Sequence, residues 1–148
     1  MSKLSKAAAT VVAAVLCVAP IGGVAAEEQS FADAKVVLQI SDADPDKQTL
    51  VLNVANNLIK HYGPQGVEIE IVAFGPGLRL LFDDNVNVDR IDSLVKSGVR
   101  FAACSNTVAN MSRLRGRDVS LNAAATQVPA GVVRIMDLVN KGYTLVKP

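Results

Sequence analysis

The sequence predicts an α/β domain with parallel strands and helices on both faces of the sheet. Three observations carry that prediction. Short runs of β-branched and other apolar residues alternate with stretches whose apolar residues recur at helical spacing. Glycine and proline stand at the joints between them. The chain has 148 residues, half of them hydrophobic, which suits one domain with one substantial core. Strands separated by helices need crossover connections, which are right-handed and leave the strands parallel.

The elements follow in order. Lys35–Ile40 reads as a buried strand. Asp44 then caps a helix with Pro45 at its first position, and Val51, Val54, Ala55, Leu58 and Tyr62 share one face. Gly63-Pro64 ends it. Val67–Phe74 is a second strand, broken by Gly75-Pro76-Gly77, after which Leu78–Phe82 reads as a short helical turn. Val88, Ile91, Leu94 and Val95 mark an amphipathic helix that stops at Gly98. Val99–Ala103 is the third strand. Asn106 is placed to cap a helix carrying Val108, Met111 and Leu114, followed by a basic loop over Arg113–Arg117. Ala123–Val128 is a weaker strand, and Pro129-Ala130-Gly131 a turn. Val132, Ile135, Met136 and Val139 stripe the last helix, which ends at Gly142, and Tyr143–Val146 closes the chain as a strand.

The N-terminus stands apart. Lys3 and Lys6 precede an apolar stretch, Ala7–Ala19, too short to span a bilayer, and Val24-Ala25-Ala26 offers a small-residue cleavage site. Residues 1–26 therefore read as a secretory signal peptide, residues 27–34 as a polar lead-in, and 35–148 as the domain. This predicts export to the periplasm, with no membrane anchor after cleavage. Leu16 before Cys17 argues against a lipoprotein signal. Cleavage leaves thirteen basic and fourteen acidic residues and one cysteine, Cys104. A net charge near zero, few aromatics and no tryptophan argue against a nucleic-acid partner.

A lone cysteine in an oxidising compartment is either a packing residue or a free thiol. Cys104 follows a strand and precedes a helix, at the carboxyl end of the strand, where open α/β sheets bind ligands. A thiol at a helix N-terminus feels unpaired amides and the positive end of the dipole, which favour the nucleophilic thiolate. Asn106 and Thr107 are in reach to donate hydrogen bonds. Other cysteine chemistries fit less well. A thioredoxin-like pair would need cysteine at Thr107, and a rhodanese or phosphatase loop would need arginine at Asn110. The single histidine, His61, falls at the end of the first helix.

Three segments resemble the DsrE/DsrF-like family: Val72–Leu81, with Gly75-Pro76-Gly77; Gly98–Thr107, with Cys104-Ser105-Asn106-Thr107; and the ending Gly142–Pro148. The resemblance runs from about Lys35 to the C-terminus, and the cysteine segment is its most specific part. It implies a three-layer α/β/α sandwich around a mostly parallel five-stranded sheet. It also implies sulfur relay, with sulfane sulfur carried as a persulfide on Cys104 between donor and acceptor proteins or small sulfur species. It further implies assembly into homotrimers or hexamers. Many relatives have glycine where this chain has Ser105. The alternative is a non-enzymatic, oligomeric binding or assembly module with a structural cysteine.

The remaining motifs are bland. Asp42, Asp44 and Asp46 begin like a calcium loop, but Lys47 and Asn53 occupy its glycine and glutamate positions. No metal-ligand cluster or nucleotide fingerprint is present, so no cofactor is expected. Gly75, Pro76 and Gly77 read as a tight turn beside Cys104, with amides that could help hold an anion. Leu78, Leu80, Leu81 and Phe82 crowd a stretch that no single helix face buries. That makes Gly75–Phe82 a candidate contact between subunits, the alternative being a monomer in which the segment folds back on its own sheet.

Overall fold

The computed structural model describes residues 31–148. The expected signal peptide, 1–26, and residues 27–30 of the lead-in lie outside the described residues. The elements are β1 (Ala34–Ile40), α1 (Pro45–Tyr62), β2 (Val67–Ala73), a 3-10 helix (Gly75–Leu81), α2 (Val88–Lys96), β3 (Arg100–Cys104), α3 (Ser105–Arg115), β4 (Ala125–Val128), α4 (Gly131–Asn140) and β5 (Thr144–Val146). The five strands lie in the order β4-β3-β2-β1-β5, and every pairing is parallel. No helix among the described residues is long and apolar enough to cross a membrane.

This order decides which face each helix covers. The chain advances across the sheet from β1 to β4 through α1, α2 and α3, then returns through α4 to β5, beside β1. Right-handed crossovers running one way share a face, and the reversed one takes the other. The core divides accordingly. Leu38, Ile69, Ile71 and Phe101 pack with Val51 and Leu52 of α1 and Ile91 and Leu94 of α2. On the opposite face Val37, Val72 and Ala102 meet Ile135 and Leu138 of α4, with Tyr143. The expected α/β/α layering is present, with α4 as the only helix of its layer among the described residues.

Local chemistry sets the boundaries. The Asp44 carboxylate accepts from the Asp46 amide at 2.8 Å, Pro45 opens α1, and Gly63 closes it. Gly77 lies so close to the end of β1 that a Cβ there would sit 2.4 Å from the Ile40 carbonyl oxygen. β4 begins at Ala125 rather than Ala123. Asn122 holds the preceding residues in a turn, its side chain accepting from the Ala124 amide and its carbonyl from Ala125.

Three expectations are corrected. Leu78, Leu80 and Leu81 are fully buried and Phe82 nearly so, so Gly75–Phe82 is not an exposed contact for another subunit. The 3-10 helix packs against β2, β3 and α3, so its leucines are buried from several sides without sharing one face. Asn106 does not cap α3. The helix starts directly after the strand, with Cys104 as its N-cap residue. Arg113 and Arg115 belong to the last turn of α3, which ends at Gly116 in the left-handed region, so they do not form a loop.

Candidate functional site

Alternation along β3 puts Arg100, Ala102 and Cys104 on the α4 face, with Phe101 and Ala103 on the other. Cys104 ends the strand opposite Val128 of β4 and is 6% exposed. It is a free thiol. Its side chain makes no capping hydrogen bond to α3, but four donors lie near enough to the sulfur to favour the thiolate. Burial pushes its pKa up, but the Thr107 hydroxyl and the amides of Gly131, Thr107 and Asn106 outweigh burial and hold it below the ordinary thiol value.

These donors come from two helices. Asn106 and Thr107 lie in the first turn of α3, and Gly131 is the first residue of α4. The sequence indicates the first helix; the second comes from a segment 27 residues further on. The approach at α4 is close. A Cβ on Gly131 would lie 3.0 Å from Phe74 Cβ and 3.3 Å from Cys104 Cβ. Ala130, the residue before α4, supplies no side-chain cap, so the amides there remain available to an anion.

Thr107 links the cysteine to the glycine-proline turn. Its Oγ1 accepts from the Gly75 amide at 3.0 Å, so its own proton is free to point at sulfur. Gly75 adopts φ +53°, which lets the chain turn sharply after β2 and present that amide. Gly75 therefore supports the site through Thr107, its amide already committed. Pro76 and Gly77 shape the turn. Ser105 Oγ points away, donating to Gln127 Oε1 at 3.4 Å. Asn106 contributes its backbone amide. His61 is exposed at the end of α1, stacked edge-on against Tyr62. Asp42 pairs with Lys47 at 2.8 Å, and no cluster of metal-ligating groups occurs among the described residues.

A second polar group on the α4 face went unread in the sequence. Glu70 of β2 is 2% exposed, and Arg134 of α4 grips both its oxygens, at 2.6 and 2.8 Å. Arg100 Nε donates to the same carboxylate at 3.1 Å, and Arg100 Nη2 to the Tyr143 hydroxyl at 2.7 Å. Tyr143 in turn donates to Glu68. Burial pushes the Glu70 pKa up, but the hydrogen bonds from Arg134 and Arg100 outweigh it and hold the carboxyl below its usual value. The signal was the alternation Glu68-Ile69-Glu70 in an otherwise apolar strand, which sends both carboxylates to one face.

No family model matches the chain, and no curated protein does. Among solved structures it is similar to MTH1491, a protein of unknown function from Methanobacterium thermoautotrophicum. The two are 30% identical with a TM-score of 0.69, over 78% of this chain and 99% of that one. It also shares its fold with BT1422, a conserved protein of unknown function from Bacteroides thetaiotaomicron. That pair is 14% identical with a TM-score of 0.53, over 78% of this chain and 96% of the other.

Proposed function

The chain belongs to the same family as the Methanobacterium thermoautotrophicum protein of unknown function, and we propose that it carries sulfane sulfur as a persulfide on Cys104. The observation behind this reading is the ring of four donors, from two helix N-termini and one hydroxyl, around a single sulfur. The resemblance of the segments around Gly75 and Cys104 to DsrE/DsrF-like proteins supports it. In the loading step the Cys104 thiolate attacks the outer sulfur of a donor persulfide, R–S–SH. A new sulfur–sulfur bond forms, the donor's bond breaks, and R–S⁻ leaves, so the cysteine ends as Cys–S–SH. In unloading, an acceptor thiolate takes the outer sulfur and Cys104 departs as thiolate. A thiolate stabilised by fixed donors is the better leaving group, so one geometry serves both steps. We place the protein in the periplasm, as a homo-oligomer that exchanges sulfur with partner proteins or small sulfane-sulfur species.

Intact-mass measurement after exposure to thiosulfate, polysulfide or a small persulfide tests this. The expected product is heavier by one sulfur, about 32 Da, and is absent from Cys104→Ser. No adduct with any donor would refute the proposal. The second reading is a binding or assembly module in which Cys104 only packs, against Gly131. Its near-complete burial favours that reading, and it predicts no adduct.

A further inference from the structure

The Glu70 cluster takes no part in the thiol chemistry, yet it places a charged carboxylate deep in the protein. Such groups are expensive to bury and contribute little net stability. α4 crosses β1, β2 and β3, and beside it a groove of about 330 Å³ opens over β3 and β4. Ala102, Thr126 and Val128 line it on the α4 face and Val95, Val99 and Ala124 at the N-terminal ends of β3 and β4, and its charged groups are Arg100, Arg134 and the Glu70 they hold. The volume is at the small end of the range for small-molecule sites.

We propose that this groove binds a small carboxylate with an apolar body, its carboxylate held by Arg100 and Arg134. Each guanidinium turns its Nε to Glu70, and Nη1 of each has no protein partner among the described residues. Glu70 thus fixes both arginines in place while leaving donors free on each. Glu68 lies 3.7 Å from Arg100 Nη2 and 3.9 Å from Lys35 Nζ, so among the described residues three cations face two carboxylates and the cluster is one negative charge short of neutrality. A planar carboxylate fits guanidinium donors better than a spherical anion does. The apolar walls then take the rest of the ligand.

The ¹⁵N-labelled protein is titrated with hexanoate, 1-hexanol and hexylammonium, following backbone amides. Hexanoate is expected to shift the amides of Ala102, Thr126 and Val128 to saturation, with the alcohol and the amine at least roughly tenfold weaker. Thr126→Leu, which fills the groove from the α4 face of β4 without touching the charges, is expected to abolish binding. Arg100→Gln leaves the Arg134–Glu70 pair in place and is expected to weaken hexanoate but not hexanol. The proposal fails if hexanoate gives no saturable shift, or if hexanol binds equally well. It also fails if these amides move on dilution without any ligand, the mark of a second copy in the groove.

Discussion

At the scale of single residues, Thr107 matters as much as the cysteine it serves. Its hydroxyl is fixed by the Gly75 amide, so it is a preset donor. The thiolate depends on that donor to offset burial. Thr107→Val keeps the side-chain shape and removes the hydroxyl. The Cys104 pKa should then rise, because burial remains and a donor is lost. The rate of alkylation by iodoacetamide, followed against pH, is the measurement. In the wild type the rate should level off below the ordinary thiol pKa of ~8.5. In Thr107→Val the profile should move to higher pH, with alkylation at neutral pH slower by on the order of tenfold. An unchanged profile would mean that the Thr107 hydroxyl does not face sulfur. Ser105→Ala serves as the control. Ser105 Oγ is engaged with Gln127 instead, so its loss should leave the profile alone.

Elements are joined by contacts that local patterns express unevenly. Asp44-Pro45 and Gly63 delimit α1 in the sequence as they do in space, because caps act within a few residues. The Cys104 position at a strand end was legible for the same reason. The Gly131 amide was not, since it reaches sulfur only once α4 has been carried back across the sheet. The Leu78–Phe82 stretch misled because the helical-face criterion does not describe a segment wedged among several elements. Gly77 is the pin of that wedge. Gly77→Ala puts a methyl against the Ile40 carbonyl, a backbone atom that cannot swing aside, and should cost roughly 1–3 kcal/mol in denaturant unfolding. Glu70 ties β2 to β3 and α4. Glu70→Ala leaves two guanidiniums without their anchor. The expected loss is about 2–4 kcal/mol, below that for a fully buried pair because both arginines are partly exposed. The Glu70 carboxyl titrates below its ordinary value when folded. Its contribution is therefore complete above the unfolded pKa of ~4.3 and is lost as pH falls through the lower folded pKa. Glu70→Gln should remove that part of the acid-side fall in stability, and a low-pH limb as steep as in the wild type would contradict this account.

At the scale of the whole fold, one reversal of direction leaves α4 the only helix on its face of the sheet among the described residues. Its inward residues, Ile135 and Leu138, are buried, while Val132, Met136 and Val139 remain 54%, 59% and 44% exposed. At 100° per residue these three fall along one flank of the helix, and Arg134 falls on the other. The ligand groove is therefore on the Arg134 side, and the apolar stripe is turned away from it. Leu145 of β5, 45% exposed, pairs in register with Val37 on the α4 face and adds to the stripe. Apolar surface gathered in this way is the mark of an association surface. The homo-oligomer expected from the sequence therefore needs a different contact from Gly75–Phe82. We predict that α4 and β5 form it. A two-fold pairing of this surface is self-complementary, because each copy offers the same stripe. It also leaves both the groove and the Cys104 end of the sheet outside the contact core. Light scattering at micromolar concentration should give a multiple of the monomer mass. Met136→Glu places a charge at the centre of the stripe without disturbing the buried face of α4, and should return the protein to monomers with its unfolding midpoint little changed. A monomeric wild type would defeat the oligomer itself. An oligomer that survives Met136→Glu would place its contact elsewhere.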